Sequence, residues 1–239
     1  MEAACQLHNK GLEVEVVEMA TRVFPRQLDE EGSEIFEATL GKKGIKVFKN
    51  HFVKTITGDG KATGVELDNG KVVRADTIIV SAGVKPNKEL VDNTNIEINR
   101  GVVVNAKMET NIKDIYACGD IAEFEGLVQG LWATAIDQGK VAGANAIGDT
   151  LEYKYSIQPV MFNEIGIEVF SIGTTESDEE IHQVISHIEK VNYKYKKLYF
   201  HNDTFIGGIL LGDTNKSSIL INGLKGSHTI DDLAKKLYK

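Results

Sequence analysis

The residues most suggestive of chemistry in this chain are Gly119 and Asp120. The short, mainly apolar run just before them, residues 115–118, predicts a buried strand. A glycine lets the backbone turn sharply and come close to a ligand. The aspartate then stands at the carboxyl end of a strand, where open α/β sheets bind their ligands. Its carboxylate can accept hydrogen bonds from the hydroxyl groups of a sugar or a ribityl chain.

Ten residues further on, the sequence from Gly130 through Leu131, Trp132 and Ala133 predicts the start of a helix. The amino end of a helix presents free backbone N–H groups and about half a positive charge to whatever lies before it. We therefore expect the strand end and the helix start to act together as one binding site.

Residues 110–120 and 130–139 resemble the second flavin-binding motif of the FAD-dependent pyridine nucleotide–disulfide oxidoreductases. NADH:rubredoxin reductases and the flavin part of NADH-dependent nitrite reductases are the most similar members. The resemblance implies a set of FAD-binding positions: Gly119, Asp120, Leu131, Trp132 and Ala133. In this family the aspartate holds the ribityl chain, and the backbone at the helix start faces the pyrimidine edge of the isoalloxazine. The alternative interpretation is an ordinary strand, turn and helix of another α/β protein.

The first residues of the chain read as the later part of a nucleotide-binding βαβ unit. A helix over residues 2–10 stops at a glycine, and an alternating β-branched strand follows over residues 12–18. Glu18 ends this strand where a Rossmann unit places an acid on the adenosine ribose, which favours NADH over NADPH. Arg22 leaves that preference open, because a nearby arginine can accept a phosphate. A solvated glutamate is the alternative interpretation of Glu18.

The next elements match the NADH-binding domain of the same family. The pattern predicts a helix over residues 29–43, a strand over 45–48, a three-stranded meander over 52–74 and a buried parallel strand over 77–83. The resemblance implies that Gly83, at the end of the last strand, serves NADH. It also places Glu2 near the nicotinamide and the flavin, although an unpaired residue at a helix start is an equal interpretation.

These elements predict an α/β fold with incomplete Rossmann-like NAD-binding and FAD-binding domains, built from a parallel sheet plus a three-stranded meander, and a small C-terminal α+β domain. The expected boundaries are residues 1–88 for the partial NADH-binding domain, 89–150 for the C-terminal part of the FAD-binding domain and 151–239 for the last domain. Strands are predicted there over residues 169–173, 181–186, 194–200 and 205–211.

A stripe of small residues follows one side of the helix that begins near Leu131. Gly139, Ala142, Gly143 and Ala146 recur at helical spacing, so they lie on one face. Side chains this small let a helix backbone lie close to its neighbour. We therefore expect tight packing along this face.

Composition excludes several classes of function. The 239 residues carry 27 Lys and Arg against 35 Asp and Glu, a net charge of −8, so nucleic acid is not an expected partner. No apolar run is long enough to span a membrane, and no secretory signal is evident, which favours the cytoplasm. Cys5 and Cys118 show no metal-type spacing, and neither a metal site nor a catalytic residue is predicted.

The resemblance implies hydride transfer from NADH to FAD and onward electron transfer to a rubredoxin-like protein or to nitrite reductase centres. Both glycine-rich pyrophosphate loops and the first part of the FAD domain are missing, so we expect a fragment, an NAD(P)H:acceptor flavin oxidoreductase only if completed. The alternatives are a non-catalytic remnant serving as an interaction or assembly module, and an NADH oxidase or coenzyme A disulfide reductase. An unpaired sheet edge near residues 1–18 predicts dimerisation, strand exchange or partial disorder.

Overall fold

The computed structural model describes residues 1–176, 183–226 and 228–237. The first two residues of the strand predicted over 181–186 lie outside these ranges. The chain forms two compact units, one built from residues 1–78 and 157–239 and the other from residues 79–156. The α/β class is confirmed, while the predicted domain boundaries remain a prediction. No described helix is both long and apolar enough to cross a membrane.

The first unit begins with alternating helices and strands. They are α1 (Glu2–Asn9), β1 (Glu15–Glu18), α2 (Glu30–Lys43) and β2 (Lys46–Lys49). Strands β1 and β2 pair in parallel, with Glu18 opposite Lys49. In the described structure β2 is the single partner of β1, so the other edge of β1 is unpaired.

Helix α2 has a chemical signal at each end. Asp29 caps its amino end by accepting the backbone N–H of Gly32 at 3.0 Å. Gly44 ends it with a left-handed backbone, φ +90°, which costs glycine little. These local signals explain why the sequence predicted this helix almost to the residue.

A three-stranded antiparallel meander follows, as the sequence predicted. Its strands are β3 (Val53–Gly58), β4 (Ala62–Leu67) and β5 (Val72–Arg74). Val65, Leu67 and Val73 are buried in it, and Phe48 of β2 packs against them. The meander is thereby joined to the parallel pair by apolar contacts.

The rest of the first unit is a five-stranded antiparallel sheet in the order β10-β11-β12-β9-β8. The strands are β8 (Val160–Glu164), β9 (Ile167–Gly173), β10 (Gln183–Glu189), β11 (Lys194–His201) and β12 (Thr204–Leu211). Helices α4 (Ser217–Gly226) and α5 (Ile230–Leu237) contribute Leu220 and Leu233 to a core with Phe170 and Leu198.

A second core joins this sheet to α2. Phe36 and Leu40 of α2 are fully buried with Tyr195 and Tyr199 of β11. The ring of Phe36 meets that of Phe162 edge-on, with centroids 5.6 Å apart. The sheet and the helix therefore belong to one compact unit although more than 100 residues separate them in sequence.

The second unit holds a short parallel pair and the longest helix of the described structure. Its elements are β6 (Val102–Val104), β7 (Ala122–Phe124) and α3 (Trp132–Ala146). Val102, Met108, Val141 and Tyr153 are among its buried residues.

Two predicted buried strands are wrong for this chain. Residues 77–83 form no strand, and Ile79 and Val80 are exposed. Residues 115–118 contribute only an isolated bridge at Tyr116, and Cys118 is exposed. A strand needs hydrogen-bonded neighbours, and these two segments have no adjacent strand in the described structure.

Candidate cofactor-binding site

Asp120 lies in a short 3₁₀ turn, Gly119–Ile121, immediately before β7. The backbone N–H of Gly119 donates a 2.8 Å hydrogen bond to Oε1 of Gln138, a buried residue one and a half turns into α3. This bond fixes the turn against the first half of α3. The side chain of Asp120 is exposed, so its carboxylate is accessible to a ligand.

Glycine is favoured at position 119 by its backbone conformation. Its φ is +77°, a left-handed backbone that a residue with a Cβ adopts only with strain. A Cβ there would lie 3.4 Å from the methyl of Ala135. The turn bearing Asp120 therefore lies close to Ala135, in the first turn of α3.

The amino end of α3 is open. Leu131 is the N-cap residue, and its side chain offers no capping hydrogen bond. No acidic residue lies in the first turn, and Trp132 is 85% exposed. The first backbone N–H groups of a helix have no acceptor within the helix, and those of Trp132 and Ala133 can donate to a ligand. The end of the helix is electropositive as a result.

Gly83 belongs to the same unit as this helix end. It has φ +86° and is exposed. The next residue, Val84, has a methyl 3.8 Å from where a Cβ on Gly130 would stand. The structure therefore brings the segment around Gly83 to the start of α3, a proximity that sequence reasoning did not predict.

Glu18 lies in the other unit, at the carboxyl end of β1. One carboxylate oxygen, Oε1, accepts the backbone N–H of Ala20 at 2.8 Å. This bond orients the side chain and leaves Oε2 for another donor. The position is the one expected of an acid that binds a ribose.

A polar cavity of about 290 Å³ adjoins the ends of β1 and β2. Lys49, which is in register with Glu18, belongs to its lining. The complete lining is Thr21, Arg22, Glu30, Ser33, Glu34 and Lys49. Sequence reasoning considered Arg22 but missed the others. The strand register would have indicated Lys49, because parallel strands align their carboxyl ends.

Glu2 is the first residue of α1, with an exposed side chain and no side-chain cap before it at Met1. It lies in the unit that contains Glu18, not in the unit that contains Asp120. Its role beside the nicotinamide and flavin stays a prediction.

The fold and these two site regions define a Rossmann-like α/β protein. Residues 1–139 match the model of the family described as pyridine nucleotide-disulphide oxidoreductase. Residues 159–227 match the rubredoxin NAD+ reductase C-terminal domain. The chain belongs to the pyridine nucleotide-disulphide oxidoreductase family.

Curated relatives agree with this assignment. The assimilatory nitrate reductase electron transfer subunit of Bacillus subtilis is 34% identical over 237 residues, 99% of this chain and 30% of that protein. The NADH-rubredoxin oxidoreductase of Clostridium acetobutylicum is 32% identical over 209 residues, 87% of this chain and 51% of that protein. The chain thus spans about a third to a half of these relatives.

Solved structures are similar over almost the whole chain. The NAD-dependent persulfide reductase of A. fulgidus has a TM-score of 0.84 at 27% identity, covering 98% of this chain and 48% of its own. The C. acetobutylicum NADH:rubredoxin oxidoreductase has a TM-score of 0.72 at 27% identity, covering 99% and 65%.

Proposed function

We propose that this chain is part of an NADH-dependent flavin oxidoreductase that delivers electrons to a redox acceptor. The observation that carries the proposal is the attachment of the Asp120 turn to α3 through the bond from Gly119 to Gln138. That bond holds the turn that carries the exposed Asp120 against α3, and the turn lies near Ala135 in the first turn of this helix. The family assignment and the names of the relatives support the same function.

The residues of the second unit fit the part of FAD that the family motif binds. The Asp120 carboxylate would accept hydrogen bonds from ribityl hydroxyls. The open N–H groups at Trp132 and Ala133 would donate to the flavin, and the positive helix end would favour electron density there. When bound, FAD accepts a hydride from NADH and passes the electrons on.

The first unit would hold the dinucleotide. Oε2 of Glu18 would accept a ribose hydroxyl, while the bond from Ala20 keeps the carboxylate oriented. Glu2 of the first unit is also proposed for the NADH side, and so is Gly83, which belongs to the second unit. Neither unit contains a Gly-x-Gly-x-x-Gly sequence, so the proposed contacts do not include the pyrophosphates.

A small redox protein of the rubredoxin type is the proposed electron acceptor. The match of residues 159–227 to a rubredoxin reductase C-terminal domain supports this choice. The assimilatory nitrate reductase electron transfer subunit and the NAD(P)H nitrite reductase of B. subtilis support a second acceptor class, the nitrate and nitrite reductases.

The decisive experiment is titration of the purified chain with FAD, followed by quenching of flavin fluorescence. Asp120→Asn should weaken FAD binding about tenfold or more, since a hydrogen bond to a charged group contributes roughly 1.5–3 kcal/mol. Asp149→Asn, an exposed aspartate in the same unit, is the matched control and should bind as the parent does. Addition of NADH to the flavin-loaded chain should bleach the flavin absorbance.

One observation favours the alternative of a non-catalytic assembly module. All residues of the core that joins α2 to the C-terminal sheet belong to the first unit. The first unit therefore has a hydrophobic core of its own. A colourless chain whose thermal melting neither FAD nor NADH changes would support the module and contradict the flavoenzyme.

A further inference from the structure

Arg22 is held by three acceptors at once. Its Nη2 donates to the backbone carbonyl of Pro25 at 3.0 Å, and its Nε donates to that of Leu28 at 3.3 Å. Its Nη2 also pairs with the carboxylate of Glu176, which follows β9. The two carbonyls fix the plane of the guanidinium, and Glu176 occupies a hydrogen-bonding direction that they leave open.

This arginine lies at the nucleotide end of the parallel pair. It follows Glu18 by four residues and lines the polar cavity together with Lys49. Lys49 is the register partner of Glu18, so the cavity is at the carboxyl ends of both strands. Open α/β sheets bind nucleotides at this edge.

A guanidinium near the ribose acid is the usual recognition group for a 2′-phosphate, because its planar donors match phosphate oxygens. Here a carboxylate already pairs with Nη2 of the guanidinium and offsets its positive charge. A 2′-phosphate that approached Arg22 would be repelled by Glu176. The carboxylates of Glu30 and Glu34, which also line the cavity, add to the repulsion.

We infer that Glu176 is a specificity-determining residue that selects NADH over NADPH by withholding Arg22 from the 2′-phosphate. The assignment rests on the proposed NADH site at Glu18. Through Glu176, the segment after β9 takes part in cofactor choice. This segment is remote in sequence from the nucleotide-binding strands.

The ion pair is suited to substitution. The Glu176 side chain is 60% exposed, and exposed ion pairs contribute little to stability, so its removal leaves the fold intact. The two backbone carbonyls keep Arg22 in place after the carboxylate is neutralised. Glu176→Gln is therefore expected to remove the repelling negative charge beside a guanidinium that stays oriented.

The test compares binding of NADH, NADPH, 5′-AMP and 2′,5′-ADP to the purified 239-residue chain by calorimetry. The parent should bind NADH and 5′-AMP more tightly than their 2′-phosphorylated counterparts. Glu176→Gln should tighten NADPH and 2′,5′-ADP about tenfold, the scale of one added charge-assisted hydrogen bond, with a much smaller change for NADH. Arg22→Ala in the Glu176→Gln background should abolish the gain.

Glu13→Gln is the matched control, because it removes one negative charge at an exposed position of the same unit. It should change none of the four affinities. The parent could bind NADH while Glu176→Gln leaves the ratio of NADPH to NADH affinity unaltered. That result would overturn the role of Glu176 and leave the proposed function standing. A parent that binds neither NADH nor 5′-AMP overturns both.

Discussion

The phenol of Tyr195 donates a 2.6 Å hydrogen bond to Oδ2 of Asp29, across 166 residues of sequence. The ammonium of Lys197 contacts the same oxygen at 2.6 Å, and the phenol of Tyr199 lies 3.3 Å from it. The other oxygen of Asp29 caps α2 through the N–H of Gly32. One buried carboxylate thus ties the amino end of α2 to strand β11.

Replacing this carboxylate should destabilise the first unit strongly. Asp29→Ala removes the cap of α2 and leaves the Lys197 ammonium, whose side chain is 16% exposed, without its main partner. Breaking a buried ion pair from one side costs about 3–5 kcal/mol. Urea unfolding should show this loss, and Asp29→Asn, which keeps a capping oxygen, should lose less. Asp76→Ala, at an exposed position of the same unit, should unfold as the parent does.

The same cluster makes stability sensitive to alkaline pH. Burial raises the pKa of Tyr195 and of Tyr199 well above the ordinary value of 10.0, and the neighbouring Asp29 raises both further. The folded state therefore retains two protons that the unfolded state releases above pH 10. The stabilisation is complete below that pH and falls above it, by about 1.4 kcal/mol per pH unit for each tyrosine.

Unfolding measured in urea between pH 9 and 11.5 checks this expectation. The variant with Tyr195→Phe and Tyr199→Phe should start less stable, because it loses the hydrogen bonds to Asp29, but should decline less steeply above pH 10. Equal slopes for the parent and the double variant would show that these phenols ionise normally in the folded chain.

A second buried carboxylate makes the stability of the other unit sensitive to acidic pH. Glu123 of β7 accepts the N–H of Gly101 at 2.8 Å and the side-chain amide of Asn99 at 2.9 Å. The Gly101 N–H, foremost, and the Asn99 amide hold the pKa of Glu123 below its ordinary value of 4.5, although burial opposes them. The stabilisation that the Glu123 carboxylate provides is present above pH 4.5 and is lost as the pH falls through the lowered pKa.

Glu123→Gln should therefore reduce the acid sensitivity of the second unit and lower its stability at pH 7. The reason is that a glutamine amide presents one acceptor oxygen where the carboxylate presents two. A buried donor left unsatisfied costs about 1–3 kcal/mol. Amide hydrogen exchange of Val102 and Val104, compared at pH 7 and pH 4, would detect the change. Protection that is unaltered at both pH values would contradict it.

Local chemistry explains which elements the sequence could predict. The meander and both ends of α2 depend on glycine, aspartate and asparagine acting within a few positions, and both elements form. Residues 77–83 and 115–118 have the composition of central strands, but a central strand requires neighbours on both sides. Composition alone cannot show whether those neighbours are present.

The sequence likewise predicted some contacts of the candidate site and missed others. The proximity of Asp120 to the amino end of α3 followed from a local motif and its family resemblance. The pairing of Arg22 with Glu176, and of Asp29 with Tyr195, joins residues more than 150 positions apart. No periodicity or spacing signals such contacts, because only the packing of the C-terminal sheet on the first part of the chain creates them.

The stripe of small residues on α3 gives the last test. It was expected to pack tightly, but a Cβ added at Gly139 or at Gly143 would meet no atom within 4 Å in the described structure. Gly143→Ala should therefore raise the free energy of unfolding by about 0.5–1 kcal/mol, the usual gain of alanine over glycine inside a helix. Gly207→Ala is the opposite case, because its Cβ would stand 2.1 Å from the backbone nitrogen of Thr174, and it should be strongly destabilising. A loss of stability in Gly143→Ala would mean that in solution another surface, such as a second copy of the chain, lies close against this face.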